Sequence, residues 1–516
     1  MLAGICGGCK HTAVSYDEQL KLKNDFVKSL LDSAVDYDYE YEGIIKSPLI
    51  FAYRNKMEYS FGDEKKDGPL TLGLHKKRSY YDVINCDSCL LVHDDFNKIV
   101  RATREYFAEL GVTYKDKRSH KGYLRHLLIR RAVNTGDILI DLVTTGESPK
   151  RVEKHSDINV PDKIIEVYDA RETVDKWAEI IKGIELTGNI IGILNTINDS
   201  MADAIKNDRT DIIYGEDHIY EEILGLRFKI TPFSFFQTNS KGAEVLYKKA
   251  REYVLWNGSD SEAERLSDSS EGTPEEKLSD KVVYDLYSGT GTIAQVLSPS
   301  AKEVIGVEIV EEAVEAAREN AKLNGLDNCS FIAGDVLKTL DNISEKPDLI
   351  VLDPPRDGIN PKALKKIVDY GVDRIVYISC KAQSLARDLG PLQYSGYRMV
   401  KACAVDQFPW TDNVETVVLL SKGEIDSKKV RVEFSLEDMD MSGFQNDATY
   451  SQIKERVLQQ TGLKVSSLYI AQIKQKHGII ERENYNKPKS ENTRQPKCPP
   501  EKEAAITEAL KYFGMI

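Results

Sequence analysis

Cys380 is the residue that the sequence best equips to act as a nucleophile. It follows the strand-like run Arg374–Ser379 and precedes the helical segment AQSLARDL. This order places it at the carboxyl edge of a sheet, where α/β proteins bind ligands, and a helix N-terminus lowers the pKa of a thiol. Glu415, in the strand-like run VETVVLL, is the best candidate for a general base. The pair predicts attack by a thiolate followed by proton removal.

A glycine turn predicts a nucleotide-like cofactor. The run VVYDLYSGTG ends in Gly289-Thr290-Gly291 and opens a helix, and Glu308 ends the next strand-like run. Glycines let the backbone approach a ligand, and a carboxylate at such a strand end can bind ribose hydroxyls. The spacing alone fits NAD and S-adenosylmethionine equally. The preceding Asp285-Leu286-Tyr287, and Asp353-Pro354-Pro355 at the end of a later strand, favour S-adenosylmethionine and a methyltransferase that acts on bases.

Composition sets the broad class. The chain has 516 residues and eight cysteines, too few cysteines for a disulfide scaffold of this size. It has no apolar run near the ~18 residues that a membrane span needs and no signal peptide, so we expect a cytoplasmic, monomeric protein that does not contact membranes. Two CxxC pairs, Cys6/Cys9 and Cys86/Cys89, indicate metal ligands or redox thiols.

The net charge of −13 is unevenly spread. The stretch 257–280 is rich in Ser, Gly, Asp and Glu, and its composition predicts a disordered insertion. Basic stretches such as HKKR, YKDKRSHKGYLRH and Arg130-Arg131 lie in the N-terminal part. Each of these is by default a solvated surface, but local patches matter more for RNA than the total charge.

Alternating patterns divide the chain into three parts. Residues 1–215 read as a small α+β domain with the cysteines and an RNA-contacting surface. Residues 216–422 alternate short apolar runs with helical patterns, which predicts a mostly parallel, Rossmann-like α/β sheet. Residues 425–516 contain a strand-like run (VRVEF), two helical segments and a last helix, EKEAAITEALKYF. The predicted fold class is therefore α/β, with an N-terminal α+β domain and a small C-terminal α+β extension.

The motifs together resemble the RNA uracil-5 methyltransferases. The resemblance rests on FSFFQTN, DLYSGTGTI, GVEIVEEAVEAARENAKLNG, DPPRDG, SCKAQSLARDL and VETV, and it covers residues 1 to about 422. It implies methylation of C5 of a uracil in RNA, with Cys380 as nucleophile and Glu415 as base. It also implies four residues that bind S-adenosylmethionine: Gln237, Tyr287, Glu308 and Asp353.

The N-terminal part resembles the bacterial 23S ribosomal RNA members, through CGGC, YRNKMEYSFG and LGLHKKRSYYDVINC. These members carry a [4Fe–4S] cluster, which implies Cys6, Cys9 and Cys86 as ligands and 23S rRNA as substrate. The family's first cluster cysteine would fall just before Met1, so either the start is truncated or Cys89 replaces it. A zinc site on the two CxxC pairs is an alternative.

Other features depart from the family pattern. The usual N-terminal β-barrel is absent, Lys381-Ala382 replaces Asn-Pro, and Trp410 stands where many members have His. The alternatives are a tRNA T-loop uracil-5 methyltransferase, an amino-methyltransferase, an NAD-dependent oxidoreductase and a non-catalytic RNA-binding module. Amino-methyltransferases usually follow Pro-Pro with an aromatic ring, whereas Arg356 follows here.

Overall fold

A computed structural model gives the fold of the chain. It describes residues 4–153, 163–203, 205, 207–256, 279–343, 345–422, 450–463, 465–477 and 498–512. The acidic stretch 257–280 falls almost entirely outside these ranges, and so does VRVEF. The chain forms two compact units, Met1–Glu424 and Ile425–Ile516. None of the helices in the described ranges combines the length and apolarity needed to cross a bilayer.

The first sheet of the larger unit has seven strands in the order β10-β9-β6-β5-β2-β3-β4. Their bounds are β2 Lys56–Gly62, β3 Thr71–His75, β4 Val83–Asn85, β5 Leu124–Arg131, β6 Asp137–Thr144, β9 Asn189–Ile197 and β10 Arg209–Gly215. Helices α2 (Asp94–Leu110) and α3 (Ala170–Lys182) bury Phe107 and Trp177 in the core beneath it. Two hairpins complete this region: β7 (Lys150–Glu153) with β8 (Lys163–Val167), and β11 (Ile219–Ile223) with β12 (Leu226–Ile230).

The second sheet has eight strands in the order β1-β18-β19-β17-β16-β13-β14-β15. Their bounds are β1 Glu40–Ile45, β13 Val282–Leu286, β14 Glu303–Glu308, β15 Cys329–Ala333, β16 Leu349–Leu352, β17 Arg374–Ser379, β18 Tyr397–Val405 and β19 Glu415–Lys422. Strands β13 to β17 are parallel, and β19 pairs antiparallel with both β17 and β18. The predicted α/β class, with a mostly parallel sheet, is confirmed.

Helices cover both faces of this sheet, as its apolar strands require. Their bounds are α1 Tyr16–Ala34, α4 Ser240–Leu255, α5 Thr292–Leu297, α6 Glu311–Leu323, α7 Val336–Thr339, α8 Pro361–Asp369 and α9 Ala382–Tyr394. Successive strand residues alternate between the two faces. Val283 accordingly packs in the core with Leu246 of α4, and Tyr284 in the opposite core with Leu385 of α9.

The N-terminal segment contributes to the second sheet rather than the first. Strand β1 extends the sheet in parallel beside β18, and α1 contributes Val27 and Leu31 to the core that α9 shares. A capping box at Ser15 and Glu18 starts α1. The sequence predicted α1 and β1 to belong to the α+β region of residues 1–215, because local patterns do not show which sheet an edge strand joins.

The C-terminal unit contains three helices in its described residues, α10 (Tyr450–Thr461), α11 (Ser467–Lys476) and α12 (Pro500–Tyr512). They match the two helical segments and the last helix predicted from the sequence. The helices bury Ile453, Ile470 and Ile506 in a small core of their own.

Candidate active site

Strand pairing places Cys380 and Glu415 opposite each other. Ser379 is the register partner of Thr416 in the antiparallel ladder of β17 and β19, so the next pair outward is Cys380 and Glu415. Asp353 follows β16, the parallel neighbour of β17 on its other side. The edge where the parallel strands end therefore gathers a thiol and two carboxyl groups.

Two buried carboxyl groups, Asp285 and Glu415, and the half-buried Asp353 line this edge. Burial raises the pKa of Asp285 to about 8, that of Asp353 to about 7 and that of Glu415 to about 8. The charge of Asp353 raises the pKa of the other two further. Near neutral pH these groups hold protons that ordinary carboxyls would have lost, so the site can both accept and supply protons.

The thiol of Cys380 is less acidic than the sequence suggested. Burial, and then the charges of Glu415 and Asp353, raise the pKa of Cys380 to about 11. The prediction that a helix N-terminus would lower this pKa is wrong, because α9 begins only at Ala382 and burial, reinforced by the two carboxyl groups, outweighs any such effect. Arg356 acts in the opposite direction: its positively charged guanidinium lies near the thiol and lowers the pKa of Cys380.

The glycine turn forms the predicted cofactor loop. Gly289 and Gly291 have φ values of +54° and +73°, and a Cβ on Gly291 would lie 2.5 Å from the ring of Phe331. Glycine is therefore required at Gly291 both for its backbone and for space. The Glu308 carboxylate accepts hydrogen bonds from the N–H groups of Gly289 (3.0 Å) and Val310 (3.0 Å), which fixes it at the end of β14 beside the loop.

Two buried polar atoms around this loop have no hydrogen-bond partner among the described residues. Asp285 Oδ2 accepts from the N–H of Ala294 at 2.9 Å, but its Oδ1 is buried without a partner, and so is Ser288 Oγ. Tyr287 has a φ of +68°, a conformation that L residues rarely adopt. Buried unpaired groups are costly, and strained backbone clusters at functional sites. Both features fit a polar ligand held at this loop.

Gln237 reaches the site through Tyr247 of α4. The Gln237 side chain lies near the Tyr247 hydroxyl and lowers its pKa, whereas the charges of Asp353, Glu415 and Asp285 raise it. Tyr247 is a site residue that sequence analysis missed. It falls within the apolar stripe of a helix, and nothing local separates it from an ordinary core tyrosine.

Asp335 is a second residue that sequence analysis missed. It is the N-cap of α7, directly after β15, and its Oδ1 is buried without a partner. Its charge raises the pKa of Tyr287, which places it beside the cofactor loop. The sequence contained a pattern that could have identified Asp335, since the motif AGDV puts a carboxylate at a strand end of the same sheet.

The four cysteines of the two CxxC pairs come together. Cys86 lies close enough to Cys6 and Cys89 for its thiol to lower the pKa of both. Cys9 interacts electrostatically with Cys6 and Cys89. Within the described ranges, however, no group of three or more His, Cys, Asp or Glu side chains is arranged to hold a metal ion. We call these four residues the thiol cluster.

Comparison with known proteins identifies the family. Residues 272–423 match a family model described as tRNA (uracil-5-)-methyltransferase. A curated relative from Clostridium tetani, described as an uncharacterized RNA methyltransferase, is 44% identical over 419 residues, 81% of this chain and 82% of the relative. Another so described, from Caldanaerobacter subterraneus, is 43% identical over 81% of this chain and 83% of its own length. The chain belongs to the RNA uracil-5 methyltransferase family.

A solved structure has a fold similar to that of this uracil-5 methyltransferase. It is the Pyrococcus abyssi tRNA (uracil-54, C5)-methyltransferase in complex with S-adenosyl-L-homocysteine. The TM-score is 0.59 at 24% sequence identity, over 80% of this chain and 85% of that one. The predicted family and enzyme class are confirmed: the protein is an S-adenosylmethionine-dependent RNA methyltransferase.

One departure from the family pattern has a structural explanation in this methyltransferase. Trp410 is buried, stacks on Phe51 with ring centroids 5.1 Å apart and donates its Nε1–H to the Ile50 carbonyl at 2.7 Å. With Tyr53 and Leu91 it forms a small core against which Cys9 and Cys89 of the thiol cluster pack. The indole therefore serves packing beside the thiols, in the loop that leads to Glu415.

The buried carboxyls predict how the methyltransferase binds its cofactor at different pH values. S-adenosylmethionine is cationic at its sulfonium, so it binds best when Asp285 and Asp353 are ionised. Because their pKa values are raised to about 8 and about 7, we expect affinity to increase from about pH 6 to about pH 8.5, with protons released on binding.

Isothermal titration calorimetry in buffers of different ionisation enthalpy measures both quantities. S-adenosylhomocysteine, which lacks the sulfonium charge, is the matched control and should show a weaker dependence on pH. Equal pH dependence for the two ligands would contradict this account of the site.

Proposed function

We propose that this methyltransferase transfers a methyl group to C5 of a uracil in 23S rRNA, through a covalent adduct between Cys380 and C6 of the base. The observation that carries the proposal is the ladder of β17 and β19, which sets Cys380 opposite Glu415. A nucleophile and a base at one edge are what methylation of an unreactive ring carbon needs.

The steps follow from the positions of these side chains. C5 of uracil is a poor nucleophile until the Cys380 thiolate adds to C6, which makes C5 enolate-like. S-adenosylmethionine, when bound, supplies the electrophilic methyl group. Glu415 then removes the proton from C5, and the sulfur–carbon bond to Cys380 breaks to restore the double bond. Arg356 favours the attacking thiolate, because its charge lowers the pKa of Cys380.

The cofactor-binding residues follow from the same edge. We propose that Gln237, Tyr287, Glu308 and Asp353 hold S-adenosylmethionine, together with Asp285 and Asp335. The unpartnered oxygens of Asp285 and Asp335 support this assignment: both are buried acceptors, Asp285 also accepts a hydrogen bond from the Ala294 N–H of α5, and Asp335 lies near Tyr287. An acidic pocket also suits the cationic groups of the cofactor.

The Glu415→Gln variant should separate attack from proton removal. We expect it to form the covalent RNA adduct and stall there, because its amide cannot take the C5 proton. Denaturing gels of reactions with radiolabelled RNA measure the adduct. Cys380→Ala should form none yet bind S-adenosylhomocysteine normally, and Cys329→Ala, a half-buried cysteine on another strand, should behave like the parent. Rapid turnover by Glu415→Gln would exclude Glu415 as the base.

The choice of 23S rRNA rests on the thiol cluster, since the tRNA members of the family usually lack such cysteines. A tRNA substrate is the second candidate, supported by the family model's description and by the substrate of the Pyrococcus abyssi enzyme.

Mapping 5-methyluridine in 23S rRNA and in tRNA from a deletion strain separates the two candidates. We expect a 23S rRNA site to be lost, then restored by the parent gene but not by Cys380→Ala. Loss from tRNA alone would reverse the assignment.

We further propose that the thiol cluster holds a structural [4Fe–4S] cluster through Cys6, Cys9 and Cys86, with Cys89 as the fourth ligand. The chemistry of the donors supports the proposal, because thiolates are the usual ligands of such clusters and the four cysteines lie close enough to affect one another's pKa values. Their side chains are not arranged around a metal ion in the described residues, so they would have to turn toward the iron on binding. Anaerobically purified protein should be brown and contain iron. Cys89→Ser should lose iron, whereas Cys329→Ser should keep it. Colourless protein with stoichiometric zinc would favour the tetrahedral zinc alternative.

A further inference from the structure

Two neighbouring loops of the seven-stranded sheet present exposed aromatic rings. Tyr80 is 60% exposed and Tyr81 is 50% exposed, and their ring centroids lie 5.3 Å apart at 85°. Each ring carries a cation from the second loop. Lys117 Nζ is 4.2 Å from the Tyr80 centroid, and Arg118 Cζ is 4.7 Å from the Tyr81 centroid.

The two loops are fixed before any ligand arrives. Lys117 Nζ donates to the Tyr80 carbonyl at 3.1 Å and to Asp203 at 2.7 Å, which ties the loops together. Within the second loop, the Asp116 carboxylate accepts from the N–H groups of Arg118 and Ser119. Tyrosines on such a support lose little conformational entropy on binding.

The base of the first loop is anchored to the residues on either side of Cys6. The Gly7 N–H donates to the His75 carbonyl at 3.1 Å, and the Lys77 N–H to the Ile5 carbonyl at 2.8 Å. Arg78 and His120, at the tips of the two loops, have φ values of +66° and +58°. Such backbone strain is found at functional sites more often than elsewhere.

The charge of these loops is opposite to that of the whole chain. Residues 76–81 and 116–121 contain six Lys or Arg and one Asp, whereas the chain carries −13. Lys77, Arg78 and Lys121 are exposed. Aromatic rings for bases beside cations for phosphates are how proteins bind single-stranded nucleic acid.

We propose that the two loops, 76–81 and 116–121, form a platform on which Tyr80 and Tyr81 stack unpaired bases of the RNA substrate. The basic side chains hold the adjoining phosphates. The proposal rests on the proposed function for the identity of the partner. A thiol can reach C6 of a uracil only when that base is out of its stack, so the flanking RNA offers the unpaired bases that such a platform binds.

Binding of a fluorescent single-stranded oligouridylate and of a duplex RNA of equal length tests the platform. We expect the double variant Tyr80→Ala/Tyr81→Ala to lose about tenfold or more in affinity for the single strand, and much less for the duplex. Tyr80→Phe/Tyr81→Phe keeps the rings and should bind like the parent. Tyr214→Ala is the matched control, because that ring is also exposed beneath a cation, Lys182, on the same sheet.

Each outcome decides one question. Equal losses for single strand and duplex, or parental affinity in the alanine variant, would overturn the stacking platform. A loss in the phenylalanine variant would show that the hydroxyls rather than the rings matter, and would overturn it as well. Methylation of the same RNA is measured separately. A parent that binds the single strand although deletion of its gene removes no 5-methyluridine from rRNA or tRNA would refute the proposed function and leave the platform standing.

Discussion

The pairing of β19 between β17 and β18 is the constraint on which the site depends. Both neighbours run antiparallel to β19, so the start of β19 lies at the edge where the parallel strands end. Glu415 is the first residue of β19 and Cys380 the first after β17. A shift of one residue in this register would turn Glu415 to the other face of the sheet. The buried ladder, with Val417, Val418, Leu419 and Leu420 fully enclosed, prevents such a shift.

This arrangement works against stability. Asp285 and Glu415 are buried, and the half-buried Asp353 lies near both, so ionisation of Asp353 raises the pKa of the other two. The unfolded chain would ionise all three at neutral pH, so the folded form binds more protons and these groups lower stability as the pH rises toward 8. Selection for stability alone would replace them with apolar residues. The proposed function gives them a role, in binding a cationic cofactor and in a reaction in which protons move.

The N-terminal segment links three regions of the larger unit. Its strand β1 extends the catalytic sheet, and its cysteines join the thiol cluster. The Lys10 N–H donates to the Trp410 carbonyl at 2.9 Å, in the loop that leads to Glu415. On the other side, the same segment pairs with the loop that carries Tyr80 and Tyr81. The thiol cluster thus lies between the proposed base and the proposed RNA platform, where a rigid structural group would hold both in place.

The sequence by itself determined the features that depend on neighbouring residues. Short apolar runs between helical patterns predicted the α/β sheet, and the ends of those runs predicted the glycine turn, Asp353 and Cys380 as site residues, because parallel strands end at a common edge. The tertiary structure decided what depends on residues far apart in the chain. Strand register set Glu415 opposite Cys380, and burial together with the neighbouring carboxyl groups raised the pKa of the thiol. Packing of α4 also brought Tyr247 close to the candidate site, and strand pairing joined β1 to the second sheet. Pairing partners and local dielectric arise only when distant segments pack, so no local pattern carries them.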